Sequence, residues 1–187
     1  MTKFILGAAV SFVLLSCNNA KKEEVPKSAD AATEAATTEK KAAPAELLDL
    51  SAADGVKQSF AAFSKADVDG MAANFDDNIR YFWSSGDSLI GKKAVIDYYK
   101  GRWSVIDSAN VSETIVLPLQ INETQSKYAP TGKWVHYWGF WHVKYKNGKK
   151  IDFWMHNANH FNEAGKVDLV AQFIDRHQIL EATKGMK

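Results

Sequence analysis

The residues able to do chemistry crowd into the second half of the chain, where all five histidines lie: His136, His142, His156, His160 and His177. A metal site is the first chemistry such a set suggests, and spacing opposes it. His156 and His160 stand four apart in an alternating run, about 13 Å at a strand rise of roughly 3.3 Å per residue, too far to share one ion. The single cysteine, Cys17, permits neither an intrachain disulfide nor a multi-cysteine metal site. No serine elbow, phosphate loop or dinucleotide fingerprint is present, so neither a metal nor another cofactor is expected. Acid–base chemistry is better provided for. Asp175 ends the last apolar run, and a carboxylate in an apolar enclosure has its pKa raised toward neutrality, where it serves as a general base. His136, with Asn157 or Asn159, could orient a polar group, and Tyr81, Tyr98 or Tyr99 could donate to a developing oxyanion. The plainer reading gives the same residues structural work: a carboxylate on a backbone amide, a core histidine, packed tyrosines.

The elements that must position these groups are written in residues 134–176, where aromatic and polar residues alternate between two turns. Asn147-Gly148 predicts a two-residue type I′ turn, which needs positive φ at both central positions. Asn162-Glu163-Ala164-Gly165 suits a type I turn closed by a left-handed glycine. Three antiparallel strands are expected, over 134–146, 149–161 and 166–176. A two-residue first turn pairs Lys146 with Lys149 and sets His142 opposite Phe153 and Trp138 opposite Asn157. One face then carries Trp134, His136, Trp138, Phe140 and His142 with Phe153, Met155, Asn157, Asn159, Phe161, Val167, Leu169, Ala171, Phe173 and Asp175. That face reads as the wall of a mostly apolar cavity. Tyr81, Trp83, Tyr98, Tyr99, Trp138, Phe153, Asn157, Asn159 and Phe173 are therefore the expected contacts of a small ligand. The opposite face, with Tyr137, Trp141, Trp154 and His156, is too aromatic for open solvent. Helices on one side and a second subunit on the other would cover both.

Upstream, Val56, Phe60 and Phe63 mark a first helix starting near Ser51, and Val68, Met71, Ala72 and Phe75 a second after Asp67. A short strand over 79–83 follows, then a turn, then a helix after Gly91 with Ala94, Val95, Tyr98 and Tyr99 on one stripe. Residues 111–122 alternate as a strand, with Pro118 marking an edge or a bulge. Helix, helix, strand, helix and then four strands is an α+β pattern with a strongly curved antiparallel sheet.

The N-terminus carries an address. Lys3 precedes an apolar stretch too short to span a bilayer, and Leu14-Leu15-Ser16-Cys17 resembles a bacterial lipobox. Residues 1–17 are expected to be a lipoprotein signal peptide, with Cys17 lipidated and holding the protein to a membrane. Residues 18–48 lack aromatics and read as a disordered tether, leaving 49–187 as one domain. By the same resemblance, Asn18 implies outer-membrane sorting within the cell envelope. Twenty-three basic against 22 acidic residues, net charge +1, argue against a nucleic-acid surface.

Read together, the opening helical pair with Asp67-Val68-Asp69-Gly70-Met71, then Phe75-Asp76-Asp77-Asn78-Ile79, Leu89-Ile90-Gly91-Lys92-Lys93-Ala94-Val95, Phe161-Asn162-Glu163-Ala164-Gly165-Lys166-Val167 and the closing Phe173-Ile174-Asp175 resemble the SnoaL-like branch of the nuclear-transport-factor-2-like superfamily. The resemblance implies a cone-shaped fold in which a curved sheet and three N-terminal helices enclose a pocket, frequently dimerised through the outer face of the sheet. It also implies two alternatives to simple binding: an isomerase, hydratase or cyclase using a pocket carboxylate such as Asp175, or an interaction module using the aromatic face.

Overall fold

The computed structural model describes residues 42–124 and 126–186. The expected leader, Cys17 and most of the expected tether lie outside them. Among the described residues no helix is long and apolar enough to cross a membrane.

Among the described residues, seven strands form one curved, unclosed sheet in the order β1-β4-β5-β6-β7-β2-β3. They are β1 (Ala45–Leu47), β2 (Phe75–Trp83), β3 (Ser88–Ile90), β4 (Ile106–Ile121), β5 (Gly132–Tyr145), β6 (Lys150–Phe161) and β7 (Val167–Phe173). The helices α1 (Asp54–Phe63), α2 (Val68–Met71), α3 (Lys92–Trp103) and α4 (Arg176–Thr183) complete the α+β domain. The sheet is mixed rather than purely antiparallel, because β2 and β7 run parallel. Strand β1 falls inside the segment expected as tether and pairs with β4 from Ala45 to Leu47. It ends where the Leu48 amide donates to the Pro118 carbonyl, so the N–H that proline lacks falls at the end of the ladder.

Local chemistry explains the helices. Asp67 caps α2 by accepting from the Gly70 amide at 2.7 Å, and Gly91 enters α3 with φ of +92°, a conformation glycine adopts without strain. Phe60 of α1 stacks on Tyr137 of β5 at 4.0 Å, while Phe63 meets Tyr99, Trp103 and Trp141 edge-on. Ile79, Val95, Val135 and Val170 are fully buried between helices and sheet, each contributing about 1.5–3 kcal/mol.

The first hairpin corrects the expected register. Tyr145 pairs through its amide with the Lys149 carbonyl, and the Gly148 amide returns to the Tyr145 carbonyl. The loop thus has three residues, with Gly148 at φ +85° and Asn147 outside the left-handed region. Asn147 instead uses its side chain, accepting from the Lys149 amide and donating to the Ala182 carbonyl. One extra loop residue slides β6 by one position, so Trp141 faces Phe153 and Trp138 faces His156. A second slip follows at β7, where a bulge at Asp168 separates the Phe161–Val167 and His160–Leu169 pairs.

Candidate functional site

Because of these slips, the helix-covered face of the sheet combines the expected set on β6 with the opposite sets on β5 and β7. Tyr137, Trp141 and Val143 of β5 lie beside Phe153, Met155, Asn157 and Asn159 of β6 and Val170 and Gln172 of β7. Between this face and α1, α3 and α4 lies a cavity of about 90 Å³. Phe60, Phe63, Trp83, Tyr98, Trp141 and Met155 form its apolar wall, and Arg102, Ile174, Arg176 and Leu180 also border it. A separate void of about 20 Å³ lies between α1 and the strands, with Tyr81, Asn157 and Asn159 in its wall.

A closed ring of neutral groups adjoins the cavity. Asn157 donates to the Tyr81 hydroxyl at 3.2 Å, and the Tyr81 and Tyr99 hydroxyls are 2.7 Å apart. Tyr99 donates to Gln172 Oε1 at 3.4 Å, and Gln172 Nε2 returns to Asn157 Oδ1 at 3.2 Å. With Tyr81 donating to Tyr99, every member both gives and accepts. The Trp83 indole adds a donor to Gln172 Oε1 at 2.7 Å. Burial raises both phenol pKa values, that of Tyr99 well above its ordinary value, so the ring holds its protons at any physiological pH. Among the described residues, no carboxylate or imidazole lines the cavity.

Of the expected contacts, Trp83, Tyr98, Tyr99 and Phe153 border the main cavity, Tyr81 and Asn157 belong to the ring, and Asn159 donates to the Val135 carbonyl. The structure does not bring the others in. Trp138 and Phe173 lie on the outer face, where Phe173 is 51% exposed. Asp175 sits at the exposed start of α4 and accepts from the His177 amide at 2.9 Å, which makes it a helix cap outside the cavity wall. His136 is also on the outer face, its Nδ1 2.9 Å from His156 Nε2. Burial lowers the pKa of His136; burial and then its neighbour's charge pull His156 down to about 4. The one-residue slip moves His156 and His160 onto the same outer face as His136 and His142. Among the described residues, no group of three or more metal-ligating side chains forms.

Arg102, Trp141, Gln172 and Arg176 were not anticipated in the site. Gln172 had a sequence signal, as the lone amide in the apolar run 169–174. The arginines had a weaker one, since a helix over 176–183 could be read from Asp175 as cap with Ile179, Leu180 and Ala182 behind it. On the outer face, Asp152, His142 and Ser112 are linked in series at 2.7 and 2.9 Å. That is the connectivity of a nucleophilic relay, but Asp152 is 60% exposed and His142 42%, and water screens such a pair.

Solved structures share the fold at low identity. A candidate polyketide cyclase from Xanthomonas campestris pv. campestris is 15% identical with a TM-score of 0.56, the match covering 71% of this chain and 96% of that one. A nuclear-transport-factor-2-like protein of unknown function from Burkholderia pseudomallei is 16% identical with a TM-score of 0.55, covering 72% and 98%. An epoxide hydrolase of the LEH-like type from M. tuberculosis is 12% identical with a TM-score of 0.50, covering 70% and 87%. No curated protein matches the sequence. The signature of the SnoaL-like domain does match, over residues 56–168, more than half of the chain. The chain belongs to the SnoaL-like domain family.

Proposed function

We propose that this domain binds a small, largely apolar molecule in its cone cavity. The observation that carries the reading is a partly enclosed, aromatic-walled space beside a polar ring that is already satisfied internally, so an incoming apolar group strands no protein hydrogen bond. A short alkyl chain or the edge of a ring fits within about 90 Å³; the rest of a larger ligand would lie at the border formed with α4. The alternative of an isomerase, hydratase or cyclase lacks support for its base, since among the described residues no carboxylate borders the cavity. Titrating the protein with n-butanol should shift the indole N–H resonances of Trp83 and Trp141 saturably. The same titration should leave Ile174→Trp, which fills the cavity, unchanged. Equal shifts in both proteins would overturn the assignment of the site.

A second reading concerns the outer face and does not compete with the first. Ile115, Trp154 and Phe173 are 58%, 47% and 51% exposed, and the His136–His156 pair stacks between Trp138 and Phe173 on that same face. Such a band is covered most simply by a second copy of the chain. The lipobox adds an address: we place the domain on a tether from lipidated Cys17, at the outer membrane of a bacterial envelope. Replacing Cys17 with Ala should release the protein to the soluble fraction, and persistence in the membrane fraction would contradict the anchor.

A further inference from the structure

The donors and acceptors around the cavity do not balance, and the imbalance specifies the ligand's head group. Among the described residues, two guanidinium groups are the only formal charges in the wall. Arg176 is neutralised, since it bonds both Asp87 and Ser85 and lies over the Trp83 ring. Arg102 is not. It is half-buried in the last turn of α3, and among the described residues the one hydrogen bond of its guanidinium goes to the Tyr145 hydroxyl at a long 3.4 Å. A guanidinium offers five N–H donors in a planar fork matched to a carboxylate, so most of its capacity is unused. A second donor is also unmatched: Trp141, 2% exposed and part of the same wall, has an indole N–H with no acceptor among the described residues.

We infer that the ligand is an amphipathic anion, with an apolar body in the cavity and a carboxylate or similar oxyanion held by Arg102. This rests on the cavity being a binding site, as proposed above. The cavity wall excludes water around the apolar body, while the partly exposed Arg102 accepts the charged end without full desolvation of either ion.

Butyrate and butyramide separate the two claims, because they share an apolar chain and differ in charge. Affinities are read from the Trp83 and Trp141 indole resonances of the full chain. Wild type should prefer butyrate by roughly tenfold or more, the scale of a charge-assisted hydrogen bond. Arg102→Gln should bring the two affinities together by weakening butyrate far more than butyramide, and Arg102→Lys, which keeps the charge but loses the fork, should fall between. Equal affinities in wild type, or a butyrate preference that survives in Arg102→Gln, would overturn the anion inference while leaving the cavity a site. If neither compound binds wild type, the binding reading itself fails and the inference with it.

Discussion

Gln172 is the residue on which the cavity's polar ring depends, because it receives donors from Trp83 and Tyr99 and donates to Asn157. Replacing it with Leu keeps the volume but leaves the Trp83 and Tyr99 donors and the Asn157 Oδ1 acceptor unmatched. At about 1–3 kcal/mol for each orphaned group, Gln172→Leu should cost on the order of 3 kcal/mol in urea unfolding. A loss below about 1 kcal/mol would mean that the ring is not a cooperative unit. Asp175 makes the opposite case. Its carboxylate caps α4, so Asp175→Ala should cost about 1 kcal/mol and Asp175→Asn almost nothing, asparagine being an equally good cap. Both variants should keep wild-type affinity for cavity ligands; loss of binding in Asp175→Asn would return that carboxylate to the site.

The elements were largely legible in the sequence, and the register errors came from single residues. Alternation identified β5, β6 and β7, and the helical stripes located α1 and α3, because those periods are set by burial of one face. Asn147-Gly148 also fixed the place of the hairpin. It could not fix the loop length, since Asn-Gly serves a two-residue type I′ turn and Gly alone serves a three-residue loop with a bulge. That one residue decided whether Trp138 or Trp141 entered the cavity. Gly139 was an available arbiter: a Cβ there would fall within 3 Å of the Tyr137 and Trp141 side chains, as expected where large rings crowd onto the covered face. Short β1 and β3 carry too few residues for a periodic signal, and the bulge at Asp168 has no local signature. The corrected register yields its own prediction for the β5–β6 pair. His136 and His156 have depressed pKa values in the folded state, so the unfolded chain binds more protons as the medium acidifies. Their contribution is fully present above about pH 6.5 and is lost as pH falls toward about 4. The urea midpoint should decline through that window, and His156→Phe, which keeps a ring in the stack, should flatten the decline. An unchanged slope in His156→Phe would assign it to other groups.

For the whole molecule, the sheet separates two surfaces of different use: a covered face bordering the cavity and an uncovered aromatic face. If a second copy covers the latter, light scattering should give a dimer for wild type and a monomer for the double variant Ile115→Glu, Phe173→Glu. Both side chains are more than half exposed, so the unfolding free energy of the variant monomer should fall by no more than about 0.5 kcal/mol per site. A wild-type monomer would leave the outer face without the proposed partner. The proposed binding role requires the cavity to be occupied in the cell. Native mass spectrometry of the full chain, purified gently from its own host and then denatured to release what it carries, addresses this most directly. One reproducible small anion with an apolar body is expected, present in wild type and absent from Ile174→Trp. A wild-type protein that emerges empty, or a molecule carried equally by Ile174→Trp, would contradict that role.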